Sequence, residues 1–361
     1  MFKFNELKQI HLEITNNCQA SCPMCARNIH GGLENPNIKL KGWSLDQYKA
    51  ALSLEVLNQI EGIYFCGNYG DPLLNNDLLE MVKYTTEVNK NINLRIHTNG
   101  SLRNKSWWKD LALALPKTHN VVFAIDGLED THSIYRIGTN YNKIIENAKA
   151  FIDAGGSAEW AFIRFKHNEN QVDEVREIAS KLGFDSFTMK DSSRWLLEPK
   201  FNVLDKNGNT SYYLEPSQHS AIKIIDHSIV NQYREIIKSI DIDCYAKHSK
   251  EIYLDAYGHL FPCCWLGAIP YNTKDLENEL LEVRTAIHAD YYDLVESLGG
   301  IDNLDITKKS IKDIVNSKEY QSVWDFYWND RKLITCGRSC GKAQNVEFSK
   351  PNDQFVKKDE L

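Results

Sequence analysis

At 361 residues, with 42% hydrophobic and 25% charged residues, the chain has the size and balance of a soluble globular protein with a full core and about two domains. Its 42 Lys and Arg face 49 Asp and Glu, and the net charge of −7 is spread without long runs, so neither nucleic acid nor an anionic membrane is an expected partner. No stretch approaches the ~18 apolar residues of a membrane span, and Met1–Lys8 lacks an apolar signal core. Nine cysteines, odd in number and clustered, fit a reducing compartment better than a disulfide framework, and a cytoplasmic location is expected. The last four residues, Lys358 to Leu361, spell an ER-retention address; with nothing to carry the chain there, they read as a charged, frayed tail.

Ile10–Thr15 is the first expected strand, and Cys18, Cys22 and Cys25 follow it directly. Three thiols on one tight loop suit zinc or an iron–sulfur cluster. Zinc would need a fourth ligand, for which His30 is the nearest candidate. Ser44 and Gln47 form a capping box that opens a helix through Tyr48, Leu52 and Val56. Gly62–Cys66 is the second strand and runs into a glycine-rich turn, Gly67-Asn68-Tyr69-Gly70-Asp71, where the backbone can approach a ligand closely. A helix carrying Leu78, Leu79, Val82 and Tyr84 follows. Ile92–His97 is the third strand, with a helix over Trp107–Leu115 stopped by Pro116. Val121–Ile125 is the fourth, with a helix around Ile144–Phe151 ended by Gly155 and Gly156. Trp160–Phe165 is the fifth, and its helix carries Val172, Val175, Ile178, Ala179 and Leu182 before Gly183. Phe184–Met189 is the sixth.

Six strand–helix repeats with short connections call for an α/β fold of parallel strands joined by right-handed crossovers. Periodicity does not separate a doubly wound sheet from an incomplete barrel. Polar turns punctuate the expected strand ends: Thr98-Asn99-Gly100-Ser101, then Asp126-Gly127 with His132 and Arg136, then His167 and Asn168, where Asn168 suits a helix cap. Residues 190–243 break the repeat. Pro199, Asn207-Gly208-Asn209 and Pro216 mark loops and Gln218–Ile240 looks helical, which reads as a linker covering the barrel. Beyond Cys244, the run Ile252–Phe261 reads as a hairpin turning near Ala256–Gly258, which would return Cys263 towards Cys244. Cys264 follows, and Cys336 and Cys340 come later. Cys66, at an apolar strand end, reads as buried packing.

The spacing CxxxCxxC at Cys18, Cys22 and Cys25, on the loop after the first strand, resembles the cluster motif of the radical S-adenosylmethionine (SAM) enzymes. The turn after strand two resembles the "GGEP" turn of that superfamily, with Asp71 where Glu is usual and Asn68-Tyr69 as added length. Thr98–Ser101 is similar to its "TNG" turn, and Asp126, Gly127, His132 and Arg136 to a "DG…H…R" stretch of its peptide-modifying members. The resemblance covers about residues 8–190. It implies a partial (β/α)6 barrel with its site at the C-terminal strand ends, and a [4Fe–4S] cluster on three Cys whose open iron binds SAM. It also places Gly67, Asn68, Tyr69, Gly70 and Asp71 near the methionine amino group and Thr98, Asn99 and Ser101 near the ribose. Asp126 and Arg136 complete that site, with Arg136 pairing the SAM carboxylate.

Cys244, the Gly258-x4-Cys263 run and Cys336…Cys340 resemble the single-cluster "twitch" form of the SPASM-like auxiliary domains, over about residues 244–345. That implies one auxiliary [4Fe–4S] cluster on Cys244, Cys263, Cys336 and Cys340. Cys264 is spare or exchanges with Cys263, and structural zinc on the same thiols stays open. The expected plan is therefore a barrel at 1–195, a linker or lid at 196–243, a twitch domain at 244–345 and a tail at 346–361. The implied activity is reductive cleavage of SAM to a 5′-deoxyadenosyl radical, with hydrogen abstraction from a peptide or protein side chain and a reducing partner such as flavodoxin or ferredoxin. A small metabolite, such as a nucleotide or sugar derivative, is the alternative substrate. The alternative of another class is a non-catalytic protein with two zinc sites that binds a partner.

Overall fold

The structure, a computed structural model, describes residues 1–115, 119–192, 194–195, 199–220, 239–271, 281–330, 332–342 and 355–361. Six strands lie side by side in chain order and all parallel: β1 (Gln9–Leu12), β2 (Gly62–Phe65), β3 (Asn93–Thr98), β4 (Asn120–Ala124), β5 (Ser157–Arg164) and β6 (Ser186–Asp191). A doubly wound sheet reverses its strand order at a switch point. This order never reverses, so the fold is the partial (β/α)6 barrel.

The crossover helices are α1 (Leu45–Ala51), α2 (Leu54–Gln59), α3 (Leu78–Val88), α4 (Lys105–Ala114), α5 (Tyr141–Asp153) and α6 (Val172–Leu182). The expected capping box forms, since Ser44 Oγ accepts from the Gln47 amide and Gln47 Oε1 accepts from the Ser44 amide. One long helix was expected there, but Ser53 caps a second, α2, after the chain bends at Leu52. Gly183 ends α6 with a φ of 87°, a left-handed conformation that costs glycine little.

Strand parity divides the barrel wall. Ile10 and Leu12, Ile63 and Phe65, Leu94 and Ile96, and Trp160 and Phe162 are fully buried in one core. The other parity carries His11, Tyr64, Arg95, His97, Glu159 and Lys190, which line cavities inside the barrel. Parallel strands covered by helices on both faces are apolar almost throughout. Here one face is covered and the other lines a half-open pocket with polar side chains.

Both sheet edges carry strands from the C-terminal third. β9 (Glu251–Leu254) pairs parallel to β1, with Gln9 opposite Glu251 and Leu12 opposite Leu254, and β10 (Leu260–Phe261) returns antiparallel, forming the expected hairpin. Beside β6 lies β11 (Phe355–Glu360), antiparallel, so the end of the chain is a strand rather than a frayed tail. Arg176 Nε lies 2.9 Å from Asp359, and the Leu361 amide donates to the Asp185 carbonyl. An uncovered β6 would be an open edge. Ile252, Leu260, Ile314, Trp324 and Leu333 join the same core as Ile10 and Phe65, so the cysteine-rich third shares one apolar interior with the barrel.

In the linker, β7 (Phe201–Leu204) and β8 (Thr210–Leu214) form a hairpin around Asn207-Gly208-Asn209. The helix expected over Gln218–Ile240 falls largely on residues 221–238, outside the described ones. Among the described residues, no helix is long and apolar enough to cross a membrane.

Removing residues 355–361 uncovers the β6 edge. The shortened protein is expected to melt at a lower temperature and to associate more readily, read by calorimetry and light scattering.

Candidate functional site

The C-terminal ends of β1, β2 and β3 are joined by two buried carboxylates. Asp71, 5% exposed, accepts the Thr98 hydroxyl at 2.8 Å, the Asn99 amide at 2.7 Å, Asn99 Nδ2 at 2.6 Å and the Leu73 amide at 3.0 Å. Asn99 extends this to the cysteine loop, because its Oδ1 accepts Gln19 Nε2 at 2.7 Å while its Nδ2 lies 3.8 Å from Cys18 Sγ. Glu13 Oε1 accepts the Tyr69 and Gly70 amides, each at 2.9 Å, and Oε2 accepts the Tyr253 hydroxyl at 2.5 Å. Gly70 is required here, since a Cβ would sit 1.7 Å from the Thr15 carbonyl oxygen.

The cysteine loop is furnished with donors. The Ala20 amide donates to Cys18 Sγ at 3.4 Å, and Arg136 Nη1 lies 3.9 Å from Cys22 Sγ. Arg136 Nε pairs with Asp126 at 2.5 Å, and Asp126 Oδ1 accepts the Ile163 amide. His132 fixes this segment as a neutral ring: Nδ1 accepts the Asp126 amide, Nε2 donates to Thr139, and burial holds its pKa down to about 3. Burial pushes Cys22 up to about 11 and Cys18 higher still, and neighbouring thiols add to both. A second apolar cluster of Cys22, Met24, Tyr135, Trp195, Phe201 and Val203 seats the β7–β8 hairpin against the loop.

The structure assigns several expected residues to other work. His30 Nδ1 donates to the Asn202 carbonyl and its ring stacks on Phe201 at 4.6 Å, so it serves the hairpin. Asn68 donates to Tyr253 and to the Cys264 carbonyl, and the Tyr69 hydroxyl donates to the Ala268 carbonyl, which turns both side chains towards the C-terminal third. Thr98 spends its hydroxyl on Asp71, and Ser101 Oγ accepts the Asn140 amide. Asn168 makes no helix cap. Its Nδ2 bonds the Asp126 and Ile163 carbonyls and its Oδ1 accepts the Phe165 amide, tying β5 to the β4 turn.

Glu13, Gln19 and Lys190 were missed in the sequence. The signal for Glu13 was present, as a carboxylate between Leu12 and Ile14 in an apolar strand.

A cavity of about 410 Å³ gathers the later cysteines. Cys244, Cys263, Cys264, Cys336 and Cys340 line it together with Cys66. Cys336 and Cys340 sit one turn apart on the helix α7 (Ile334–Cys340). The hairpin does bring Cys263 to Cys244. Cys66 does more than pack: it faces the cavity, pushed up to about 11 by burial, with the Tyr64 hydroxyl pulling the other way. Among the described residues no three His, Cys, Asp or Glu are grouped closely enough for one metal ion.

Residues 12–182 match the sequence profile of the Radical SAM superfamily. No curated protein sequence matches the chain. Among solved structures, anSMEcpe with bound AdoMet and Kp18Cys peptide superposes with a TM-score of 0.52 at 14% identity, over 96% of this chain and 92% of that one. SuiB from Streptococcus suis bound to precursor peptide SuiA superposes at 0.50 and 16% identity, over 77% of this chain. The chain spans 64% of that SuiB chain, just under two thirds. The profile marks residues 12–182 as similar to the radical SAM domain, and the solved structures agree with it in fold. That class implies a [4Fe–4S] cluster and SAM, and the first cysteine loop fits the group: three thiols on one loop, with amide, amide side-chain and guanidinium N–H groups beside two of the sulfurs.

Burial holds Glu13 up to about 7, from a usual 4.5, against the pull of its three donors. The folded protein thus keeps a proton that the unfolded chain releases, so stability is full below the unfolded value and falls as pH rises from about 5 to about 7.5. Glu13→Gln is expected to flatten that slope, worth up to about 3 kcal/mol, in urea unfolding across this window. Arg136→Ala strands the fully buried Asp126 and is expected to cost ~3–5 kcal/mol by the same measurement, with Arg136→Lys costing less.

Proposed function

We propose that the chain is a radical SAM enzyme whose cofactor site is built on Cys18, Cys22 and Cys25. Bound there, a [4Fe–4S] cluster with an open iron supplies the electron that cleaves SAM to methionine and a 5′-deoxyadenosyl radical, which takes a hydrogen atom from substrate. The observation that carries this reading is the three-thiol loop pinned through Asn99 and Asp71 to the ends of β2 and β3.

The residues around it have separable tasks. Arg136 and Asn99 place N–H groups by two of the sulfurs and favour their thiolate forms. Asp71 and Glu13 hold the turns that would face the methionine and ribose moieties. Gly67 and Gly70 let the second turn pack against Glu13 and the Thr15 carbonyl, where a Cβ would clash, and the β7–β8 hairpin with Trp195 screens the loop from water.

The second cavity supports an auxiliary [4Fe–4S] cluster on Cys244, Cys263, Cys336 and Cys340. Four thiolates would leave such a cluster no open position, which suits electron transfer or a structural role over substrate ligation. A peptide or protein side chain is the favoured substrate. In its support, anSMEcpe and SuiB have been seen with bound peptides. A small metabolite is the second reading, favoured by a barrel pocket of about 550 Å³ lined by Arg95, His97, Glu159 and Lys190. A flavodoxin or ferredoxin is the proposed electron donor.

Anaerobically prepared protein is expected to hold about eight irons per chain with matching sulfide, and the Cys18→Ala/Cys22→Ala/Cys25→Ala protein about four. Reconstituted protein that retains zinc alone would end this reading. Under reduction, the intact protein should form 5′-deoxyadenosine from SAM. Cys340→Ala should still form it while failing to complete the product, and a Cys264→Ala protein that loses the second cluster would move the ligand from Cys263 to Cys264.

A further inference from the structure

The four thiols proposed for the second site are each met by an N–H group. The Lys247 amide hydrogen-bonds Cys244, the Trp265 and Leu266 amides Cys263, the Trp328 indole Cys336 and the Tyr245 amide Cys340. Cys264 is flanked instead by Glu251 and Cys66. The amides are fixed in place by the short helices Tyr245–Ser249 and Cys264–Ala268. The indole is different, because it is a side-chain donor that a Phe in its place would not supply.

Its surroundings place Trp328 for this contact. It lies in the π-helical turn Phe326–Asp330, which continues the helix Lys318–Asp325. Trp324 and Trp328 line the cavity of about 410 Å³ together with the cysteines. Trp328 is 7% exposed, and its ring lies 5.7 Å from that of Trp324. Lys247 Nζ stands 5.0 Å from the Trp328 ring centroid. A cation over an indole polarises the ring and makes its N–H a better donor. Lys247 thus acts on Cys336 through the ring and on Cys244 through its own amide. Two carboxylates oppose this charge, Asp243 near Cys340 and Asp290 near Cys336. Both are occupied, since Asp243 pairs with His248 and Asp290 accepts the Ile334 amide at 3.2 Å.

We propose that Trp328, backed by Lys247, is the tuning residue of the second cysteine site and raises the reduction potential of a [4Fe–4S] cluster held by Cys244, Cys263, Cys336 and Cys340. The proposal rests on the auxiliary-cluster reading given above. One-electron reduction of such a cluster adds one negative charge, spread over its sulfurs. An N–H donor on a sulfur and a nearby cation both stabilise that added charge, so both raise the potential. A raised potential suits this site to take up an electron rather than to deliver one. Structural zinc on the same thiols has no second oxidation state, and the indole would then have nothing to tune.

The test uses the full-length Cys18→Ala/Cys22→Ala/Cys25→Ala protein, in which the second site is the one left to hold iron. It is reconstituted anaerobically and titrated reductively while the electron paramagnetic resonance of the reduced cluster is followed. Adding Trp328→Phe is expected to shift the ratio of reduced to oxidised cluster at fixed potential at least tenfold towards the oxidised form, a fall in midpoint of about 59 mV or more. Lys247→Met should shift it the same way by less. Lys312→Met, whose ammonium lies over Phe4 instead, controls for lost surface charge and should leave the midpoint in place. With tryptophan labelled at the indole nitrogen by nitrogen-15, the reduced parent should show a nitrogen-15 coupling that Trp328→Phe removes. An unmoved or raised midpoint in Trp328→Phe overturns the proposal. Should that variant lose its iron, the labelled parent decides, and a parent without the indole coupling overturns it. A triple-Ala protein that binds no iron ends the auxiliary-cluster reading and this inference with it, whereas a cluster of unmoved potential sinks this inference alone.

Discussion

The cofactor end depends on one carboxylate, Asp71, which accepts four hydrogen bonds from groups on two turns. Its burial raises its pKa and its donors oppose that rise. A buried carboxylate without such donors would take up a proton or loosen the fold. The dependence runs both ways, because Asp71 accepts both the inward Asn99 N–H and the Thr98 hydroxyl of that turn. Asn99 then carries this order to Gln19 and Cys18. The position of the first thiol is thereby set by a residue more than fifty positions away.

The polar lining of the barrel follows from the same economy of partners. A closed eight-stranded barrel fills its interior with branched apolar side chains. This partial barrel directs that parity at its chamber and fills it with His11, Tyr64, Arg95, His97, Glu159 and Lys190. The apolar parity is left to hold the fold, and it does so with large side chains, among them Phe65, Trp160 and Phe162, all fully buried. His11 shows how the two sides are reconciled. Its Nε2 donates to the Cys66 carbonyl at 2.8 Å and its ring leans on Tyr64 and Tyr253, so burial leaves it neutral, with its pKa down to about 4.

The six barrel strands were legible because each has an apolar parity bounded by turn residues, and the boundaries moved by at most a few residues. The loops were legible as motifs, but not in their wiring. Nothing local distinguishes an Asn168 that caps a helix from one that bonds the carbonyls of Asp126 and Ile163, since that choice is made by a strand forty residues away. The same holds for the side chains of Asn68 and Tyr69, which bond Tyr253, Cys264 and Ala268. β11 was hidden for a different reason. Lys357, Lys358, Asp359 and Glu360 have the composition of a solvated tail, and only the open edge of β6 makes them a strand. Edge strands are commonly charged for that reason.

The pairing of β9 with β1 has the largest mechanical consequence. It makes the hairpin bearing Cys263 and Cys264 an extension of the strand that leads into Cys18, in one sheet with one core. Side-chain links cross the junction: the Tyr253 hydroxyl to Glu13, Asn68 to Tyr253 and to the Cys264 carbonyl, and the Tyr69 hydroxyl to the Ala268 carbonyl. Glu13 in turn holds the Tyr69 and Gly70 amides. A displacement at the second cysteine cavity therefore reaches the glycine turn through two hydrogen bonds and no flexible linker. The two cysteine sites therefore sit on one sheet over one apolar core.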